Sequence, residues 1–282
     1  MTAVASPITQ PSKPARPYFS ALWRVPAATI ADRAAKLHHA AGIAANDFAA
    51  LHGKPASIFF RADDVAVPSA MNTVMFTAFI RNNVPLAPAL VPAWLNEARW
   101  EVLQALAAHA PHLWAWHQHG WRHRNAQREG KKGEFGSHRT YDAKEADIRK
   151  GRDKLHRIAG SAMCPVFTPP WNRMDEEALN ALVLLGFKGV SRTVNARPLP
   201  PEGLKDISVN VDLHTRRETS PDAGWQALTD ELCAAISTGQ AGIMLHHQRM
   251  NAAAAAFLNI FLAFAASHPC LDVVDIRKAV LS

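Results

Sequence analysis

The chain has 282 residues, 48% of them hydrophobic, and this length suits one large α/β domain without requiring a second. Its 31 Lys and Arg against 24 Asp and Glu give a net charge of +7, which suits an anionic partner; nucleic acid is not favoured, because no basic repeat interleaved with aromatic residues is present. Three cysteines, Cys164, Cys233 and Cys270, lack the even number of a disulfide framework and the C-x-x-C spacing of a thiolate zinc site, and favour a reduced, cytoplasmic setting.

The first residues of the chain, MTAVASPITQPSKPARPY, are rich in Pro, Ser and Thr and lack the apolar centre of a secretory signal. They predict a flexible tail at 1–20, followed by a single domain at 21–282. The first predicted helix is Ala-rich and covers about 27–50. After it, short β-rich runs alternate with longer helical ones, as in parallel strands joined by helices.

This alternating part contains the remaining predicted strands and helices. The predicted strands are 57–64, 86–91, 113–119, 165–168, 187–191, 207–213, 241–246 and 271–274. The predicted helices are about 69–81, 97–109, 142–159, 175–185, 224–238 and 252–266, several of them opening on Ser, Asp or Asn as helix caps. The last is shorter than the ~20 residues of a membrane span and contains Asn259, so it predicts a buried helix and no membrane insertion. Together the elements predict a (β/α) barrel of seven to eight parallel strands.

Carboxylates and imidazoles follow the predicted strands. Asp63 and Asp64 end the first strand, where two adjacent carboxylates repel each other unless a cation or solvent compensates. His117 and His119 share one face of the third strand, and His119 and His123 have a spacing that brings two imidazoles together if the chain turns helically there. Imidazoles in such pairs commonly bind zinc.

A late apolar strand ends in His246 and His247, and imidazole can protonate a leaving group near neutral pH. Each cluster alone has a simpler interpretation, as a solvated loop, a helix cap or a structural histidine. Their recurrence at strand ends favours a functional site, because such ends converge on one rim of a barrel. The polar stretch at 125–141 predicts a long loop at that rim, in which Glu134 and Arg139 are expected to be solvated, with substrate contact as the alternative. We therefore expect a divalent-metal site of hydrolytic type there.

These residues resemble the motifs of the polysaccharide deacetylase family, the NodB-like carbohydrate esterases. That family carries an Asp-Asp pair after the first strand, His-[Ser/Thr]-x-x-His after the third and Leu-His on a late strand. The corresponding segments here are Arg61-Ala62-Asp63-Asp64, His119-Gly120-Trp121-Arg122-His123 and Leu245-His246. The resemblance covers roughly residues 57–275 and implies a divergent member with the family's distorted barrel.

The resemblance also implies a role for each matched residue. Asp64, His119 and His123 would bind the metal ion, which would be zinc or else cobalt, manganese or nickel. Asp63 would be the general base as a metal-activated water attacks the acyl group. His246 would be the general acid that protonates the departing amine or alcohol.

Neighbouring side chains complete the expected site. His117 and His247 are expected to support the ligands rather than to bind the ion, with a packed core histidine as the alternative for His117 and the role of acid as the alternative for His247. Substrate contacts are predicted for Trp171, Trp121, Arg61 and Asn172. Aromatic faces suit sugar rings, although tryptophan at such positions is more often part of the core.

The sequence departs from the family pattern at several positions. Gly120 replaces the usual hydroxyl residue, and Val65 stands where many members have Gly. The family's Arg-x-Pro-aromatic motif, whose arginine orients the base, appears here without that arginine, as Thr168-Pro169-Pro170-Trp171-Asn172-Arg173. Arg61 and Arg173 are the two candidates to supply the missing charge.

The activity implied by the resemblance is removal of an acyl group, expected to be acetyl, from an N- or O-acylated carbohydrate. One alternative is a small-molecule amidohydrolase of the same superfamily, which the expected cytoplasmic setting favours. Another is a catalytically silent homologue that binds metal or carbohydrate, which the missing arginine favours. Nucleic acid and membrane are not expected partners, and the oligomeric state is left open.

Overall fold

The protein forms a nearly closed barrel of parallel strands surrounded by helices, in a computed structural model that describes residues 18–281. The strands of these residues are β1 (Ala56–Ala62), β2 (Ala87–Leu90), β3 (Trp116–His119), β4 (Met163–Thr168), β5 (Gly189–Thr193), β6 (Lys205–Val209), β7 (Val211–Asp212), β8 (Gln240–Leu245) and β9 (Leu271–Val273). They lie in the order β6-β5-β4-β3-β2-β1-β8-β7, with β9 also paired to β1, and each pairing is parallel. The predicted (β/α) barrel is confirmed.

Helices connect the strands and cover the outside of the barrel. They are α1 (Ile30–His52), α2 (Ala70–Asn82), α3 (Glu97–Ala107), α4 (Tyr141–Ala159), α5 (Glu176–Leu184), α6 (Pro221–Ser237), α7 (Ala252–Ser267) and α8 (Ile276–Leu281). From α2 to α7, each begins at a side chain that accepts a hydrogen bond from a backbone N–H three residues on: Ser69, Asn96, Thr140, Asp175, Ser220 and Asn251. These caps satisfy an N–H that the helix itself leaves free, so they determine where each loop from the barrel rim ends.

No helix within residues 18–281 is both long and apolar enough to cross a membrane. The helix predicted at 252–266 is α7, and it buries one face, including Phe257 and Phe261, against the rest of the core.

The barrel closes at Asn210, where the structure differs from the single strand predicted at 207–213. Up to Val209 the segment pairs with β5, and from Val211 it pairs with β8. The backbone N–H of Asn210 donates to the carbonyl of Gly242 (2.9 Å), and its side-chain oxygen accepts the N–H of Gly242 (2.8 Å). The amide side chain thus replaces a ladder bond where the chain changes partners, which splits the strand in two.

Side chains that point into the barrel form layers along each strand, because alternate residues share a face. On β1, Phe59 packs with other apolar side chains in the lower barrel. Two residues further on, Arg61 is fully buried, level with the buried His117 of β3. Another two residues bring Asp63 and His119 to the carboxyl ends of these strands. The polar layer therefore lies between an apolar floor and the rim where the predicted site is located.

The N-terminal segment before α1 packs on the same end of the barrel. Of the flexible tail predicted at 1–20, residues 1–17 lie outside the described residues. Ser20 is buried, and its hydroxyl donates to the carbonyl of His214 (2.5 Å). The indole of Trp23 donates to the carbonyl of Leu213 (2.7 Å), so this segment holds the loop that follows β7.

Candidate active site

One carboxylate and two imidazoles meet at the rim, and we call Asp64, His119 and His123 the metal cluster. Oδ1 of Asp64 lies 3.4 Å from Nε2 of His119 and 3.3 Å from Nε2 of His123. One potential ligand atom from each residue lies within 4.8 Å of the others. Oδ1 of Asp64 is buried and accepts no hydrogen bond, which is unfavourable for an anionic oxygen unless a cation binds it. The donor set of one carboxylate and two imidazoles fits a divalent ion such as zinc.

Charge complementarity within the cluster supports this fit. Burial would raise the pKa of Asp64, but the adjacent His119 and His123 outweigh it and hold that pKa far below its usual value. Burial likewise would lower the pKa of His119, but its contact with Asp64 and the charge of Asp63 raise it. The pKa of His123 is lowered by burial and by the His119 charge. The arrangement favours positive charge opposite Asp64.

Two backbone carbonyls and one hydroxyl set the orientation of the β3 imidazoles. Nδ1 of His119 donates to the carbonyl of Thr168 (2.9 Å), which fixes the ring with its Nε2 beside Asp64. Nδ1 of His117 donates to the carbonyl of Ala115 (3.1 Å), and its Nε2 accepts from the Thr168 hydroxyl (2.9 Å). Burial lowers the pKa of His117 to about 3, so this ring is neutral and packs beneath the cluster.

A buried carboxylate shapes the turn that carries His123. Glu134 accepts the backbone N–H groups of Trp121 (3.1 Å), Arg122 (2.7 Å) and His123 (3.3 Å). Burial raises the pKa of Glu134, although these hydrogen bonds act in the opposite direction. The expectation that Glu134 would be solvated is therefore wrong: it faces N–H groups that the turn leaves without a backbone partner.

Gly120 packs against the same buried carboxylate, Glu134. Its φ is +57°, and a Cβ there would lie 2.3 Å from Oε2 of Glu134 and 2.5 Å from Cγ of Pro170. A hydroxyl residue, which the family motif has at this position, would have no room. The close approach of Glu134 and Pro170 to position 120 thus accounts for glycine in place of the family's hydroxyl residue.

Left-handed backbone conformations concentrate around the metal cluster. Positive φ angles occur at Asp64 (62°), His123 (55°), Trp171 (57°) and Asn172 (58°). Such conformations are uncommon for residues other than glycine, and they tend to occur at functional sites. The side chain of Gln248 donates to the carbonyl of Asp64 (2.8 Å) and holds this turn, a contact that sequence reasoning missed.

Arg61 is the arginine that contacts the expected base. Its Nε and Nη2 donate to the two carboxylate oxygens of Asp63 at 2.8 and 2.9 Å, and the guanidinium is fully buried. The same group donates to Ser191 (2.8 Å) and to Oδ1 of Asn172 (2.7 Å). Burial would raise the pKa of Asp63, but the Arg61 charge and hydrogen bonds, with the histidines nearby, hold it below its usual value. Arg173, by contrast, is exposed and donates to the carbonyl of Lys132 (3.0 Å).

The two histidines that follow β8 differ in their surroundings. The backbone N–H of Asp63 donates to the carbonyl of Leu245 (2.9 Å), which brings His246 beside Asp63 and Asp64. The charge of His246 contributes to the lowered pKa of these two aspartates. The backbone N–H of His246 donates to Nδ1 of the buried His214 (3.0 Å), and its own Nδ1 has no hydrogen-bond partner. His247 is buried, and burial lowers its pKa to about 4.

Two tryptophans flank His123, and only one of them was predicted. The ring centroid of Trp171 lies 4.5 Å from that of His123, and Trp94 lies 5.7 Å away on another side. Trp94 follows β2 at the same rim, so the strand-end argument that selected the histidines could have selected it too. Trp121, also predicted to contact substrate, is buried among the apolar side chains of a second core cluster, with Lys150 and Arg122 over its ring. Substrate contact by these side chains stays a prediction.

Comparison with known proteins shows the fold. No protein-family model matches the chain, and no curated protein matches it in sequence. Among solved structures, a Mycobacterium smegmatis protein assigned to the polysaccharide deacetylases is similar over 81% of this chain and 91% of its own, with a TM-score of 0.59 and 16% identity. A Bacillus anthracis family 4 pseudoenzyme, in a mutant with restored activity, is similar over 81% of this chain and 68% of its own (TM-score 0.51, 10% identity). A Streptomyces lividans family 4 carbohydrate esterase is similar over 80% of this chain and 95% of its own, with a TM-score of 0.48 and 13% identity. The first two of these similarities show that the fold is that of the polysaccharide deacetylases.

Proposed function

We propose that this protein is a metal-dependent hydrolase that removes an acyl group, preferably acetyl, from an N- or O-acylated carbohydrate. The observation that carries the proposal is the metal cluster lying beside Asp63, a carboxylate whose two oxygens are held by the buried Arg61. This arrangement occupies the carboxyl ends of the strands in a barrel with the deacetylase fold.

Asp64, His119 and His123 are the residues that would hold the ion, for which zinc is our first choice and cobalt, manganese or nickel are alternatives. When bound, such an ion acidifies water and polarises a carbonyl oxygen. The unpaired Oδ1 of Asp64 and the His119 ring, whose Nδ1 donates to the carbonyl of Thr168 so that Nε2 lies beside Asp64, support this ligand set.

Asp63 and His246 are suited to moving protons on either side of the reacting carbonyl. Asp63 has a lowered pKa and is therefore an ionised carboxylate at neutral pH, able to accept a proton from the attacking water. The two-point contact with Arg61 fixes its orientation. His246 has an Nδ1 without a partner and is our candidate to protonate the leaving group, a contribution of about 100- to 10,000-fold in rate for general acid catalysis.

The walls of the site suit a carbohydrate. Trp171 and Trp94 are partly exposed beside His123, and such aromatic faces can pack against sugar rings. Asn172 is partly exposed and already bonded to Arg61, so it links the wall to the base.

The test is hydrolysis of acetylated sugars by metal-loaded protein, with Asp63→Asn as the matched variant. We expect acetate release that a chelator abolishes and that added zinc restores. Asp63→Asn should retain the ion, measured by elemental analysis, and lose at least about a hundredfold in rate. Full activity in the chelated protein, or in Asp63→Asn, would contradict the proposal.

A catalytically silent homologue is the second candidate, because one solved structure with this fold is described as a pseudoenzyme and because the motif arginine is absent. Arg61 weakens that argument, since it already pairs with Asp63. The third candidate, a small-molecule amidohydrolase, predicts turnover of small cyclic or linear amides but not of acetylated sugars. A substrate panel that contains both classes distinguishes these outcomes.

A further inference from the structure

A group of exposed cations borders the metal cluster, and we call it the basic rim. It comprises Arg122, Arg124, Arg128, Lys131, Lys132 and Arg173. All six side chains are exposed, and Glu129 is the acidic residue between positions 122 and 132. A positively charged surface of this density recruits anions electrostatically.

Adjacency in the chain and one hydrogen bond hold the basic rim beside the metal cluster. Arg122 and Arg124 are the chain neighbours of His123, and Arg173 follows Trp171 and Asn172 directly. The hydrogen bond from Arg173 to the carbonyl of Lys132 (3.0 Å) joins the two segments.

The loop that carries the rim is closed on itself. The side-chain oxygen of Asn125 accepts the N–H groups of Gly133 (3.0 Å) and Gln127 (3.2 Å), and the N–H of Ala126 donates to the carbonyl of Gly133 (2.9 Å). With Glu134 binding the turn before it, the loop presents its cations from a defined position next to the cluster.

Carboxylates do not neutralise the rim. Within residues 18–281, no ion pair joins any of its six side chains to Asp or Glu. Arginines just beyond it are paired: Arg139 with Asp147 at 2.6 Å, and Arg149 with Glu145 at 2.9 Å. Clustered like charges oppose folding, so an uncompensated group at the mouth of a site points to a ligand that supplies the opposite charge.

We propose that the acylated carbohydrate that binds at the metal cluster carries a negatively charged group, a phosphate or a carboxylate, which the basic rim binds. This inference rests on the proposed function and names its substrate class. Arginine side chains form paired hydrogen bonds with either anion. Because Arg124 and Arg173 are neighbours of the cluster and of its aromatic wall, one small molecule can reach the rim and the acyl site together.

The experiment compares matched neutral and anionic sugars: N-acetylglucosamine, its 6-phosphate, and the corresponding uronic acid. Binding is measured by calorimetry on zinc-loaded protein, and hydrolysis is measured separately by acetate release. The variant Arg124→Gln/Lys132→Gln/Arg173→Gln removes three rim charges. The control Lys36→Gln/Lys54→Gln/Arg81→Gln removes three exposed charges elsewhere.

We expect the wild type and the control to bind the anionic sugars about tenfold more tightly than the neutral one, since each exposed ion pair contributes a few-fold. The rim variant should lose this preference, and added salt should reduce it. Which of the two anionic sugars binds more tightly identifies the anion.

Three results would overturn the inference: equal binding of neutral and anionic sugars, no binding of any anionic sugar, or a preference that survives in the rim variant. Tighter rim-dependent binding of single-stranded DNA than of the sugars would also overturn it. Charge-dependent binding without hydrolysis would reject the proposed hydrolase activity but not anion binding by the basic rim. Hydrolysis without a preference for charged sugars would reject anion binding by the rim but not the proposed activity.

Discussion

Replacing Arg61 by methionine tests how the site is held together. The guanidinium is fully buried and makes two hydrogen bonds to Asp63, one to Ser191 and one to Asn172. Methionine has a similar length and no donor, so Arg61→Met leaves the buried carboxylate of Asp63 without its opposite charge.

The expected loss follows from that burial. Removing one partner of a buried ion pair costs about 3–5 kcal/mol, because the remaining charge is neither paired nor hydrated. This is a large part of the ~5–15 kcal/mol that typically stabilises a domain. In the double variant Arg61→Met/Asp63→Asn the unpaired charge is gone, and about 1–3 kcal/mol of the loss should be recovered.

The measurement is urea unfolding followed by circular dichroism at pH 7 in the presence of a chelator, so that metal binding does not contribute. Arg173→Met is the matched control. Its guanidinium is exposed and bonded to a backbone carbonyl, and its removal should change the free energy of unfolding by no more than about 0.5 kcal/mol.

Equal losses for the two arginine variants would refute the reasoning, because the structure distinguishes them by burial. A double variant as unstable as the sum of its two single variants would refute it as well, since Arg61 and Asp63 would then not be coupled.

Three further predictions concern the turn at His123 and the partly buried His38. Glu134→Gln places an amide NH₂ against backbone N–H donors and should weaken zinc binding about tenfold in a chelator competition assay, whereas the exposed Glu129→Gln should leave it unchanged. Gly120→Ala forces a Cβ onto Glu134 at a positive φ and should lower the free energy of unfolding by about 2–3 kcal/mol; an unchanged urea midpoint would contradict the close packing. Burial lowers the pKa of His38 from 6.5 to about 4, so the unfolded chain binds a proton that the folded chain excludes, and stability falls as pH drops from about 6.5 to about 4. His38→Leu should remove about 1–3 kcal/mol of that fall after allowance for solvent screening, as judged from urea unfolding at pH 4.5 and 7, with the exposed His39→Gln as control.

Much of the fold could be predicted because its signals are local. Helix caps such as Ser69 and Asn251 mark helix starts in the sequence, and alternation of short and long segments indicates parallel strands. The break at Asn210 could not be predicted. It depends on a change of pairing partner from β5, the preceding strand, to β8, where Gly242 lies 32 residues beyond Asn210.

The metal cluster was accessible from sequence for the same reason. His119 and His123 are close in the chain, and Asp64 follows a strand whose end must meet theirs in a barrel. The alternation that paired His117 with His119 also places Arg61 and Asp63 on one face of β1. Whether Arg61 or Arg173 met the aspartate was nevertheless open, because their burial depends on residues from distant strands.

The sequence by itself determined the alternation of strands and helices and the polar residues at the strand ends, since these follow from periodicity and from spacing along the chain. Only the tertiary structure decided the environment of each charge. Closure of the barrel brings Ser191 and Asn172 to Arg61 across more than a hundred residues, and the turn at Gly120 turns three N–H groups towards Glu134. The sequence does not distinguish a solvated polar residue from a buried one. Whether its polar atoms are buried and hydrogen-bonded depends on partners that come together only in the folded protein.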